Sequence, residues 1–283
     1  MKLSQARIAI ALAVLVAANS GCGVINRIRA KNELNEAART YREGRFVEAE
    51  EHSRKALDLD PKNKTAPLFI ARTIHAQYRP GVNTPENLAK AREAIEAYRK
   101  ILENDPTNDE AYKAIAFLYE KIKEDAKLRD WIIARANDTR VEADKRAEAY
   151  IVLASKDWNC SFQITDLPSN KITTATPGKV SVSYKKPSNQ KDFDTAQMCV
   201  KRGLEEIEKA LQFDPNSESA WSYKTNLLIE AAKLAEMEGK SELKAELDKQ
   251  REAAQKRTNQ LSEANKKKQA EEDAKKAASP PTS

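Results

Sequence analysis

Three stretches of this chain end in the same way, and they limit what it can fold into. Ala56-Leu-Asp-Leu-Asp60-Pro61-Lys-Asn63, Ile101-Leu-Glu-Asn-Asp105-Pro106-Thr-Asn108 and Ala210-Leu-Gln-Phe-Asp214-Pro215-Asn-Ser217 each close an amphipathic run with Asp-Pro. Proline disfavours helical dihedrals in the residue before it, so a helix stops there. The Asn or Ser that follows can cap the next helix by accepting a hydrogen bond from its free N–H groups. A chain punctuated in this way is a series of helices joined by tight turns. Composition fits: charged residues make up 33% and aromatics 6%, and there are only seven glycines in 283 residues. That profile suits long, surface-charged helices more than sheets.

The junctions resemble those of the tetratricopeptide repeat (TPR), a helix–turn–helix unit of about 34 residues. The first unit carries the resemblance best, with Ala37 and Ala38 in its first helix, Gly44 and Phe46 at the turn, and Ala49 and Ala56 in its second helix. Glu33, Glu36 and Ala37 stand where the family has Trp and Leu-Gly. A second unit pairs Lys64 to about Gln77 with Glu86 to Glu103, the longer turn falling at Tyr78 to Pro85. A third opens at Asp109, with Tyr112, Ile115, Ala116 and Tyr119 on one helical face, and continues from Ala126 to Ala136. A fourth starts near Val141, its partner helix delayed to about Phe193–Phe213. The last opens at Ser219-Ala220-Trp221, turns at Gly239 and runs from Ser241 past Leu261. The expected fold class is all-α: a TPR-like α-α solenoid of about five helix pairs, the resemblance covering residues 33 to 260 outside one insert.

That insert spans residues 158–190. Ser161–Thr165 and Lys179–Tyr184 alternate as strands do, with a turn-rich segment between them, so the pattern predicts a small β-hairpin. Cys160 and Cys199 flank it. In an oxidising compartment such a pair suggests a disulfide, with two buried free thiols as the other arrangement. Closing a loop of about 40 residues contributes about 4 kcal/mol in the chain-entropy view.

The amino terminus carries Lys2 and Arg7, then the unbroken apolar run Ile8–Ala18. That run is shorter than the roughly 20 residues needed to span a bilayer and matches a signal-peptide core. Asn19-Ser20-Gly21-Cys22 follows and resembles the bacterial lipobox, although Asn19 stands where an apolar residue is usual. The resemblance implies removal of residues 1–21, lipid on Cys22 and, with Gly23 rather than Asp next, an outer-membrane location facing the periplasm. An ordinary secretory signal with an incidental cysteine is the other reading. Residues 22–32 are then a lipid anchor and basic tether, 33–157 and 191–262 repeats, and 263–283 a charged, partly disordered tail.

No catalytic motif appears. His52 and His75 lie in separate helices with no metal-ligand spacing, and no phosphate loop or nucleophile elbow occurs. We expect no cofactor, no enzyme activity and no small-molecule substrate. The net charge of +6 is spread through mixed-sign sequence, which argues against a nucleic-acid surface. Lys266–Lys268 and Lys275-Lys276 belong to a solvated helix or to a contact with anionic lipid or wall polymer. The resemblance implies a concave face lined by the first helix of each pair, which binds a partner protein or peptide. Its candidate residues are Tyr41, Arg72, His75, Lys113, Phe117, Glu120 and Asn226. Function is expected to be that of a lipid-anchored adaptor or assembly factor of the cell envelope. The alternative is a cell-wall-associated or enzyme-accessory protein that uses the insert as its binding site.

Overall fold

A computed structural model describes residues 23–176 and 178–278. Residues 1–21 and Cys22, with the expected signal peptide and lipidation site, lie outside the described residues. The described chain forms ten α-helices in five consecutive pairs and one two-stranded antiparallel sheet. They are α1 (23–42), α2 (Phe46–Leu59), α3 (Ala66–Gln77), α4 (Pro85–Asn104), α5 (Asp109–Lys121), α6 (Asp125–Asn137), α7 (Ala143–Thr165), α8 (Gln190–Phe213), α9 (Glu218–Met237) and α10 (Ser241–Ala278). The strands are β1 (Lys171–Thr176) and β2 (Lys179–Tyr184). The fold is all-α and TPR-like, with a hairpin insert. It divides into two compact units, the first ending at Leu128 and the second beginning at Arg129.

The three Asp-Pro junctions share one geometry. Asp60, Asp105 and Asp214 sit at φ −135°, −138° and −137°, and their N–H groups donate to Ala56, Ile101 and Ala210 carbonyls at 3.0, 2.9 and 2.9 Å. The polar residue three positions later then caps. Asn63 Oδ1 accepts from Ala66 N–H at 2.9 Å, Asn108 Oδ1 from Ala111 at 3.0 Å and Ser217 Oγ from Ala220 at 3.2 Å. Each cap satisfies a donor that a helix start leaves open.

A second device closes the first helix of three pairs. The N–H groups of Arg45, Glu124 and Lys240 donate to carbonyls five residues back, at Thr40, Tyr119 and Ala235. This closure needs a residue in the left-handed region just before the donor. Gly44 (φ +77°) and Gly239 (φ +72°) supply it in two cases, and Lys123 (φ 61°) in the third.

In the first unit small residues set the packing. Ala30, Ala37, Ala49, Ala56, Ala66, Ala71, Ala91, Ala94 and Ala111 are all fully buried. Without bulk at these positions the helices approach closely, and Ile74, Ile95, Ile115 and Leu118 fill the space between. The tether expected over residues 22–32 is instead the start of α1 from residue 23. Ala30 packs there on Ala56 and Ala66, and that burial draws the segment into the helix.

In the second unit α7 and α8 lie side by side, joined by the Cys160–Cys199 disulfide with Cα atoms 6.1 Å apart. Gly203 permits the approach of α9, because a Cβ there would lie 2.6 Å from Leu227 Cδ2. Phe193, Ala196, Val200, Leu234 and Met237 form a core cluster, with Ile164 and Tyr184 packed against it.

The insert differs from expectation at its first strand. Ser161–Thr165 continues α7. Ser161 and Thr165 are buried one helical turn apart, and both hydroxyls donate to Glu230 Oε2, at 2.9 and 2.6 Å. An apparent two-residue alternation was thus a helical face with polar residues turned inward. The first strand is instead Lys171-Ile-Thr-Thr-Ala-Thr176, whose β-branched residues suit a pleated surface. It pairs from Lys171↔Tyr184 to Thr176↔Lys179. The helix expected to run past Leu261 continues unbroken to Ala278, on helix-forming Ala, Glu, Gln and Lys. The last residues of the expected disordered tail, 279–283, lie outside the described residues.

Candidate functional site

Six of the seven candidate groove residues belong to the first unit, on the first helices of its pairs: Tyr41 on α1, Arg72 and His75 on α3, and Lys113, Phe117 and Glu120 on α5. Three of these, Arg72, His75 and Phe117, meet between α3 and α5. Arg72 Nε and Nη2 donate to both carboxylate oxygens of Glu110 at 2.5 Å, linking α3 to α5. His75 stacks at a tilt on Phe117, with ring centroids 5.6 Å apart, and meets the Tyr98 ring edge-on at 5.9 Å. Its Nδ1 is 3.4 Å from the Tyr98 hydroxyl. Tyr41 packs on Phe46 across the α1–α2 turn, with centroids 5.2 Å apart.

Exposure separates the roles. Phe117 is 42% and Tyr41 36% exposed, large values for aromatic rings, and Tyr98 lies behind at 2%. Burial lowers the His75 pKa, so its imidazole is neutral at neutral pH. Burial, reinforced by the Glu110 carboxylate, raises the Tyr98 hydroxyl well above its usual range and keeps it a donor. The hydrogen bonds to Glu110 hold Arg72 firmly charged. The face therefore offers two aromatic rings, a neutral imidazole and a bidentate ion pair, which suits stacking and hydrogen bonding better than bond-making chemistry.

The other candidates lie less centrally. Lys113 turns back to Asp109 one turn earlier, at 2.6 Å. Glu120 lies beside Lys121, whose ammonium sits 5.1 Å from the Phe117 ring centroid. Asn226 is half-buried on α9, in the second unit. Sequence reasoning missed Tyr98 and Glu110. Tyr98 reads as one more member of the α4 apolar stripe, and Glu110 as an ordinary first-turn acid. Only the fold joins Glu110 to an arginine 38 residues away.

The second unit holds two buried charge clusters. Asp157 and Glu206, 2% and 8% exposed, lie against two arginines. Arg129 contacts both carboxylates, 3.2 Å from Asp157, and Arg202 donates to Asp157 at 2.6 Å. Burial and the adjacent Asp157 carboxylate push the Glu206 carboxyl up to about 7. The other cluster centres on Glu230, which accepts from Ser161, Thr165 and Lys233, the last at 2.6 Å. Lys233 also lies over the Phe162 and Tyr184 rings, and Tyr184 N–H donates to Glu236 at 3.0 Å. These contacts fix the base of the hairpin to α7 and α9. A two-stranded ribbon is marginal alone. The hairpin leaves Ile172, Val180 and Val182 47–69% exposed.

Among the described residues no group of three or more His, Cys, Asp or Glu side chains could hold a metal ion. His52 instead pairs with Glu33 at 2.6 Å. No described helix is long and apolar enough to cross a membrane.

No family model matches the sequence, and no curated protein matches it. Among solved structures the chain is similar to MamA from Desulfovibrio magneticus, at TM-score 0.37 and 16% identity, over 78% of this chain and 94% of that one. It is similar to PilF of Pseudomonas aeruginosa at TM-score 0.35 and 15% identity, over 80% and 91%. It is also similar to a tetratricopeptide repeat protein from Parabacteroides merdae at TM-score 0.34 and 13% identity, over 82% and 97%. The TPR-like reading of this chain rests on its own paired helices and repeated junctions.

Proposed function

We propose that this chain is a non-enzymatic adaptor of the bacterial cell envelope, which receives an extended peptide or a helix of a partner protein on the α1–α3–α5 face. The observation that carries this reading is the exposed Phe117 ring seated on His75 beside the Arg72–Glu110 pair. Aromatic residues, phenylalanine among them, and arginine are enriched at protein interfaces. Attachment through lipid on Cys22, on the periplasmic face of the outer membrane, belongs to the same reading. It is supported by the apolar run and Ser20-Gly21-Cys22.

Two comparisons test it in the full chain. Phe117→Ala and Arg72→Ala should each weaken recovery of an envelope partner tenfold or more, as a hot-spot truncation of roughly 2 kcal/mol does. Glu96→Ala, on α4, should leave recovery unchanged. Equal recovery with all three variants would refute the groove. Cys22→Ser should abolish incorporation of labelled palmitate, and incorporation that persists would refute the anchor.

A second reading is favoured by the exposed Val180 and Val182 of the hairpin. Here the insert contacts cell-wall polymer. Sedimentation with purified peptidoglycan, lost on Val180→Ser with Val182→Ser, would support it, and absence of sedimentation would remove it.

A further inference from the structure

The first turns of α1 carry two apolar faces. One is the packed face: Ala30 is fully buried against Ala56 and Ala66, Leu34 joins that cluster, and Ala37 is fully buried. The other lies on the opposite side of the helix, where Val24, Ile25 and Ile28 are 57%, 54% and 57% exposed. At 3.6 residues per turn these three form one stripe. The stripe ends abruptly, since Asn32 and Asn35 occupy the same side further along. Basic residues border it, Arg27 and Lys31 along one edge and Arg29 along the other, and all three are exposed. No acidic residue occurs between Gly23 and Glu33.

A folded repeat gains nothing from three aliphatic side chains in water on the side away from its core. Their surroundings identify what covers them. A second copy of the same surface would bring three cations against three cations. An apolar stripe edged by arginine and lysine instead matches the boundary between headgroups and acyl chains of an anionic bilayer. We propose that the two turns formed by residues 24–31 are a lipid-docking surface. Val24, Ile25 and Ile28 enter the headgroup boundary, and Arg27, Arg29 and Lys31 contact lipid phosphates. This contact does not depend on acylation at Cys22. It would set the orientation of the first repeat on the membrane as well as its distance from it.

The test uses the full chain with Cys22→Ser and Ile28→Cys, the new thiol carrying a nitroxide. A matched protein carries the label through Glu51→Cys on α2. Both are added to phosphatidylcholine vesicles with and without phosphatidylglycerol. The Ile8–Ala18 run brings the chain to both kinds of vesicle, so the readout is local: contact of the nitroxide with oxygen, which concentrates in acyl chains, against contact with an aqueous nickel complex. The expected result is a gain of oxygen contact and loss of nickel contact at position 28 on anionic vesicles, with position 51 aqueous throughout. Each basic residue near an anionic surface is worth about fivefold in affinity. Arg27→Gln, Arg29→Gln and Lys31→Gln together should therefore weaken the anionic-vesicle response by roughly a hundredfold. Two results would overturn the proposal. One is a label at 28 that stays as aqueous as the label at 51 on anionic vesicles. The other is a label at 28 that is already immobilised without vesicles, which would assign the stripe to a protein contact.

Discussion

Replacing Glu206 by Gln should make the second unit more stable at alkaline pH and remove most of its pH dependence there. In the folded chain the Glu206 carboxyl titrates at about 7, raised from an ordinary value of 4.5 by burial and by the Asp157 carboxylate. Between those values the folded state holds a proton that the unfolded state has released. Stability therefore falls as pH rises from about 4.5 to 7, and the full penalty is present above 7. A shift of this size corresponds to about 3 kcal/mol. Arg129 and Arg202 offset part of the carboxylate repulsion, but Glu206 Oε2 remains buried without a hydrogen-bond partner. Glutamine keeps the shape and carries no charge. The assay is guanidinium unfolding from pH 4.5 to 8 followed by tryptophan fluorescence. Trp131, Trp158 and Trp221 all belong to the second unit, so the signal reports that unit alone. Wild type and Glu206→Gln should coincide near pH 4.5, with the variant ahead by up to about 3 kcal/mol at pH 8. A variant less stable than wild type at pH 8, or one with an unchanged pH slope, would refute the reasoning.

Two further outcomes follow from local geometry. Lys123→Gly should stabilise the first unit by about 0.5–1 kcal/mol in denaturant titrations followed by circular dichroism, because relief of the left-handed conformation exceeds the added unfolded-state entropy; a loss of stability would show that Lys123 is not strained. Removing the disulfide with Cys160→Ser and Cys199→Ser should lower stability of the second unit by about 4 kcal/mol, read by tryptophan fluorescence. An unchanged transition, matched by equal free-thiol counts with and without reductant in the denatured wild type, would contradict the bridge.

Much of the architecture is written in local signals. Asp-Pro followed by Asn or Ser determines a helix end and the next start without help from the rest of the chain, and all three junctions adopt it with φ values within a few degrees of each other. Gly44 and Gly239 announce their turns for the same reason, because few other residues accept a positive φ. The α5–α6 turn has the same geometry with Lys123 in that position, where no glycine advertises the left-handed residue. Ser161–Thr165 misled because its hydroxyls face inward to Glu230, a partner more than 60 residues away that hydropathy cannot anticipate. At the start of α1 the polar and basic residues suggest a tether and obscure Ala30, whose burial depends on Ala56 and Ala66. In the candidate site the first-helix positions of Tyr41, Arg72, His75 and Phe117 followed from the repeat register. Tyr98 and Glu110 entered only through tertiary contact.

In the proposed function a partner protein lies on the α1–α3–α5 face. A photo-crosslinking scan in intact envelopes measures this directly, with a photoreactive amino acid placed singly at Tyr41, Arg72, His75 and Phe117, and at Glu51 and Glu96 on α2 and α4. The expected result is one adduct of common mass from Phe117 and from at least two of the other three face positions, and none from Glu51 or Glu96. Adducts of equal yield from all six positions, or from Glu51 and Glu96 alone, would contradict it.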